Sequence, residues 1–236
     1  MARLEPLPSD VIRSLLPRLP QTHLRKCAAV SRLFRECSAT AELWATVKVA
    51  QHRDADPPQL ISLLTTYGQN ITELNLRGCR SAGWRDSITT ESWNFTTEAV
   101  AMVCPGLKTL DLSASGVGDQ GLELFAKNCA CLETVRLFMN EQVSSEGLAA
   151  LLRHRHAELR SLDLRGCGFN IKERVDNASL DLWIELSKCQ KLKVLNLKGA
   201  YCVGDLEGLG SLWQSGGLSG LEESDASPSS SPTTEL

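Results

Sequence analysis

"LRSLDLRGC", Leu159 to Cys167, nearly repeats "ITELNLRGC", Ile71 to Cys79. Three further versions stand in the same chain: "LKTLDLSAS" from Leu107, "LETVRLFMN" from Leu132 and "LKVLNLKGA" from Leu192. All five place Leu, Ile or Val at their first, fourth and sixth positions. Alternation of the fourth and sixth is the signature of a short strand with one buried face. An apolar helical stretch lies beyond three of the turns: "GDQGLELFAKNC", "SSEGLAALLRHR" from Ser144, and "NASLDLWIELSKC" with Asn177 as its N-cap.

Strand, turn, helix and return, written as LxxLxLxxN/C, is the pattern of a leucine-rich repeat. The resemblance is to the cysteine-containing class. Cys79 and Cys167 end two strands, while Cys104, Cys129 or Cys131, and Cys189 end helical stretches. The other three strands depart from it, with Ser115, Asn140 and Ala200 in the strand-ending position. The implied fold class is α/β: a short solenoid, or horseshoe, with parallel strands on the concave face and helices outside. The repeats start near 71, 107, 132, 159 and 192, with additions in the first and fourth.

The nine cysteines are an odd number and contain no CxxC pair. Reduced thiols in a cytosolic or nuclear protein are the expectation. A zinc site near His154 and His156 is disfavoured by geometry. Strands lie about 4.8 Å apart, so Cys79 and Cys167, three repeats apart, are separated by about 14 Å. Buried thiols filling small spaces explain the cysteines, with no metal and no cofactor.

Upstream, "LPSDVIRSLLPRL" offers Ser9 as an N-cap and places Val11, Ile12, Leu15, Leu16 and Leu19 on one helical face, with Pro17 ending or kinking the helix. "THLRKCAAVSRLFREC" reads as a second amphipathic helix, with Leu24, Cys27, Val30, Phe34 and Cys37 on its apolar side. Leu43 and Trp44 follow, just before the strand-like "TVKV". Fifty residues enclose too little volume for so many large apolar groups, so some should meet a partner.

The run Leu7, Pro8, Asp10, Val11, Leu15, Leu16, Leu19, Leu24, Val30, Ser31, Arg32, Phe34, Leu43 and Trp44 resembles an F-box. His23 stands where an acidic residue is usual. With the repeats behind it, the chain is similar to F-box/leucine-rich-repeat proteins, which implies an all-α F-box over 1–50 and a repeat domain over 51–214. The resemblance further implies a non-catalytic substrate receptor of an SCF-type ubiquitin ligase, docking a Skp-type adaptor held by a cullin scaffold. Its adaptor-binding residues would be Leu7, Pro8, Val11, Ile12, Leu15, Leu16, Leu19, Leu24, Val30, Phe34 and Trp44, with Trp44 the one most expected to serve a private core. The alternative is a scaffold or inhibitor that uses the repeats outside any ligase.

Side chains between the buried leucines should face the concave side in columns. One column reads Glu73, Thr109, Thr134, Ser161 and Val194. The next reads Asn75, Asp111, Arg136, Asp163 and Asn196, where Arg136 is expected to pair with the flanking carboxylates. The third reads Arg77, Ser113, Phe138, Arg165 and Lys198, three cations and an exposed phenylalanine with no acidic member. An acidic or phosphorylated protein segment is the expected ligand there. Trp84, Trp93 and Phe95, crowded into "WRDSITTESWNF", offer a second candidate surface.

Composition excludes other classes. The 236 residues are 42% hydrophobic with a formal charge of −3, an ordinary soluble balance. Four cations against three anions in the columns fall short of the basic stripe that nucleic acid demands. No apolar run approaches the ~20 residues of a membrane span, and the N-terminus lacks the apolar core of a secretory signal. The four histidines have no nucleophile setting, and no phosphate-binding glycine loop is present, so enzymatic activity is not expected. "GDLEGLGSLWQ" suggests an incomplete last helix through Leu206, Leu209, Leu212 and Trp213. From 215 to 236 the Ser/Pro-rich composition predicts a disordered tail carrying Ser227 and Ser231 before prolines. Without a polar cap, the last strand edge is open to association.

Overall fold

The computed structural model describes residues 7–19, 21–48, 57–79, 98–168, 178–200 and 223–224. Trp84, Trp93, Phe95, Asn177, Leu206, Leu209, Leu212, Trp213, Ser227 and Ser231 lie outside the described residues.

The N-terminal part holds α1 (Ser9–Leu15), a 3-10 turn over Leu16–Arg18, α2 (Gln21–Ala28), α3 (Arg32–Ser38) and α4 (Ala41–Trp44). Pro17 converts the end of the first helix to a 3-10 turn, because it has no N–H for the α-helical ladder. Pro8 is the N-cap, so Ser9 is the first helical residue instead of the expected cap. The single second helix read from the sequence is two helices. The first ends at Ala28 in a turn, and Ser31, in extended backbone, caps the next, its hydroxyl accepting from Phe34 N at 3.2 Å.

The repeat part is a parallel sheet with helices in the connections: β1 (Thr46–Lys48), α5 (Pro57–Tyr67), β2 (Glu73–Asn75), α6 (98–103), β3 (Thr109–Asp111), α7 (Asp119–Asn128), β4 (Thr134–Arg136), α8 (Ser145–Arg155), β5 (Ser161–Asp163), α9 (Ala178–Ser187) and β6 (Val194–Asn196). The strands lie in sequence order and pair in parallel, as consecutive strand–helix–strand units must. β1 adds a rung before the five read from the sequence, paired Thr46↔Glu73 to Lys48↔Asn75. A two-residue strand, β7 (Glu223–Ser224), pairs with the open edge of β6. That stretch falls within the segment expected to be tail; an unpaired row of N–H and C=O groups favours such an addition.

The first, fourth and sixth positions of every repeat are buried, from Ile71, Leu74 and Leu76 through Leu192, Leu195 and Leu197. Against them pack Leu122 and Phe125 of α7, Leu148, Leu151 and Leu152 of α8, and Leu182, Trp183 and Leu186 of α9. Ile12, Leu16, Leu24, Cys37 and Trp44 join the same core, so the N-terminal helices and the repeats share one apolar interior.

Three residues beyond each of β2 to β6, position eight of the repeat is left-handed: Gly78, Ala114, Met139, Gly166 and Gly199, with φ between 52° and 69°. This turn sends the chain back toward the helix layer. Position nine then anchors it. Asn140, fully buried, donates to Leu112 O and Leu137 O at 2.9 and 2.8 Å and accepts from Gly116 N at 2.9 Å. Cys167 points its thiol at Leu137 O, 2.8 Å away. Asparagine and cysteine thus do the same job, donating to the sixth-position carbonyl one repeat back.

Candidate functional site

The columns form on the sheet as the spacing predicts. Register pairs Glu73, Thr109, Thr134, Ser161 and Val194 in one row, and Asn75, Asp111, Arg136, Asp163 and Asn196 in the next. Backbone bonds continue past the strands, Gly78 N to Ser113 O, Ala114 N to Phe138 O, Met139 N to Arg165 O and Gly166 N to Lys198 O, which aligns the third row.

The middle column works differently from the charge pairing read in the sequence. Asn75, Asp111, Asp163 and Asn196 each turn a side-chain oxygen onto the backbone N–H two residues later, at 2.9 to 3.2 Å. These are Asx turns that satisfy the N–H where each strand bends. Asp163 also holds the guanidinium of its own strand neighbour Arg165 in a two-point ion pair, 2.9 and 2.7 Å. Asp111 is 6% exposed, and its other oxygen lies 3.5 Å from Asn75 Nδ2. Arg136 therefore does not pair with either flanking aspartate; among the described residues it makes no ion pair, and it is exposed. Asx-turn propensity at position five was the signal that could have revealed this.

The third column also corrects two expectations. Arg165 does have an acidic partner. Phe138 is half-buried instead of exposed, with the Arg165 guanidinium 5.3 Å and the Arg77 guanidinium 5.8 Å from its ring centroid. Arg77 reaches it across β3 because the intervening position is the small, buried Ser113. Arg77, Phe138 and Arg165 make one cation–π cluster, each contact worth ~0.5–1 kcal/mol at an exposed site. Lys198 is exposed at the end of the row.

Residues 103–126 and 128–152 match the family model described as Leucine Rich repeat. The two matched segments hold β3 with most of α7 and β4 with most of α8, the central repeats of the sheet. No curated protein matches the chain. The repeat match suggests a protein partner, and the strand face carries Arg77, Arg136, Phe138, Arg165 and Lys198.

At the N-terminal end, the candidate docking residues divide into two sets. Ile12, Leu16, Leu24 and Trp44 are 2% exposed or less and belong to the internal core, and Phe34 is half-buried against it. Helix period explains the split of Ile12 and Leu16 from their neighbours. Leu7 (49%), Val11 (36%), Leu15 (46%), Leu19 (38%) and Val30 (69%) are exposed, as is Pro8. The outward residues, not the whole apolar run, are available to a partner.

The thiols of Cys79, Cys104, Cys129 and Cys189 are each pushed up to about 12 by burial. They are protonated at neutral pH. No group of three His, Cys, Asp or Glu positioned for a metal occurs among the described residues, and no described helix is long and apolar enough to cross a membrane.

Proposed function

We propose that the chain is the substrate-recognition subunit of an SCF-type ubiquitin ligase. Its N-terminal helices dock a Skp-type adaptor bound to a cullin, and its repeats hold the protein to be ubiquitinated, in the cytoplasm or nucleus. It is not itself an enzyme; it contributes proximity and orientation while other subunits perform the chemistry. The carrying observation is the row of exposed Leu7, Val11, Leu15 and Leu19 on a helical unit whose inward residues are already packed. Each of these four is less than half exposed, so burying what remains of them with Pro8, on a scale of ~1.5–3 kcal/mol for a full burial, gives a gross gain of ~5 kcal/mol. Association costs ~4–15 kcal/mol, so each side chain matters. An acidic or phosphorylated segment of the target fits the cation-bearing concave face.

The test is co-expression of the full chain with a Skp-type adaptor, followed by size exclusion and calorimetry. Leu15→Asp, on the exposed side, should abolish the complex while the thermal transition is kept. An unchanged affinity would remove the ligase reading. The repeat match by itself also fits a scaffold or inhibitor that sequesters a protein partner. That reading predicts a bound partner which is not ubiquitinated when cullin and adaptor are supplied.

A further inference from the structure

The two concave columns around Phe138 hold four cations over β2 to β6, Arg77, Arg136, Arg165 and Lys198, against two carboxylates, Asp111 and Asp163. Both carboxylates are engaged. Asp111 is nearly buried and caps Ser113 N, while Asp163 caps Arg165 N and grips its guanidinium. Arg136, flanked in register by these aspartates, is neutralised by neither, and its guanidinium is exposed among the described residues. It ends β4, two residues before Phe138, about 7 Å away along the chain. The Arg77 guanidinium lies 5.8 Å from the Phe138 ring. Arg136, two residues away along the chain, and Arg77, at the ring itself, are thus both neighbours of Phe138, while Arg165 beside the same ring is already paired with Asp163 and Lys198 is exposed at the end of the row.

We propose that the surface around Phe138 recognises a single phosphorylated side chain of the target, with Arg136 and Arg77 as its two ligands and Phe138 as the apolar floor beside it. The proposal rests on the concave face being the target-binding surface and names what that surface reads. A carboxylate brings one charge and two oxygens, which a single guanidinium satisfies. A phosphate monoester brings close to two charges and three terminal oxygens, enough for two forks at once. A run of several acidic residues fits less well, because beyond Arg136 each would pass Asp111 or Asp163. Nucleic acid fits less well again. The guanidiniums reach Phe138 from strands on opposite sides of β4, which obstructs the base stacking that single strands need.

The measurement uses the full chain and three degenerate peptide libraries with a central phosphoserine, serine or glutamate, read by fluorescence anisotropy at fixed ionic strength. The phosphoserine library should bind about tenfold or more tighter than either other library, as expected for added charge-assisted hydrogen bonds. Arg136→Gln with Arg77→Gln should erase that preference. Lowering the pH from 7.5 to 5.5 should weaken phosphoserine binding alone, since the phosphate loses its second charge near pH 6 while arginine stays charged. Equal binding of the glutamate and phosphoserine libraries, a preference that survives the double variant, or no binding of any library would overturn the proposal. Adaptor binding measured on the same preparations keeps the two readings apart. A double variant that loses phosphoserine preference and keeps the adaptor leaves the ligase reading standing, and loss of adaptor binding in Leu15→Asp leaves this one untouched.

Discussion

Trp44 lies flat on Tyr67, ring centroids 3.9 Å apart and planes within 6°, and its indole N–H donates to Ser38 O at 2.7 Å. One residue thus closes the N-terminal helices onto the first repeat. Ala45 O, the next carbonyl, accepts from both Thr72 N and Glu73 N at 2.8 and 2.9 Å. The helical unit is continuous with the sheet through packing and hydrogen bonds, not through the chain alone.

Trp44→Ala should therefore cost ~3–5 kcal/mol, the range for a buried Trp truncation. Tyr67→Ala should cost less, because Tyr67 is only half-buried. Urea unfolding will rank them, and hydrogen exchange should show 9–48 and 71–79 losing protection together. Protection lost in the helices alone would contradict the shared core.

Position eight gives the second prediction. Ala114 and Met139 occupy the left-handed conformation that the other three repeats give to glycine, at φ 52° and 59°. Such a residue is strained by ~1–2 kcal/mol. Ala114→Gly should stabilise the fold by about 1 kcal/mol. Gly166→Ala should destabilise it, since a Cβ there meets the same strain and stands 3.0 Å from Met139 Sδ. Thermal denaturation of the two variants should shift in opposite directions.

Asn140 carries the third. Its amide is committed to two carbonyls and its oxygen to Gly116 N, all inside the core. Asn140→Ala should cost ~1–3 kcal/mol through the orphaned N–H. Asn140→Asp should cost more at pH 7, because a carboxylate would face Leu112 O and Leu137 O with nothing to donate. Protonation restores a donor, so the folded pKa of that new Asp is raised. Its deficit should be smallest below the ordinary carboxylate range and grow as pH rises. Equal midpoints for the two variants at pH 4 and pH 7 would refute the pairing.

The period of the leucines carried the sheet order, the register and the buried positions, because a residue spacing of two and a repeat of strand plus helix leave few alternatives. The face was legible as columns for the same reason. What those columns do was less legible. Asp163 has a choice between Arg136 across the sheet and Arg165 on its own strand, and only three-dimensional reach decides it. The Asx turns had a visible sign, Asn or Asp at position five in four repeats, but the same carboxylates also suit cross-strand charge pairing, so the sign is not decisive. At the N-terminus, Leu15 and Leu16 are chemically alike and adjacent, so composition could not say which faces inward; the helix phase does.

Cysteine chemistry supplies the last prediction. Cys79, Cys104, Cys129 and Cys189 have thiols pushed up to about 12 by burial, from a reference of 9.0. Their folded state therefore holds protons that the unfolded chain releases. Stability from this source is complete below pH 9 and declines as pH rises toward 12. The guanidinium chloride midpoint should accordingly fall between pH 8 and pH 10, before most lysines titrate. Cys131, the exposed thiol among the described residues, should be alkylated by iodoacetamide in the native protein at pH 8 while those four resist until denaturant is added. Rapid native alkylation of Cys104 or Cys129 would mean that the helix layer opens far more readily than its packing allows, and the alkaline midpoint shift would then disappear with it.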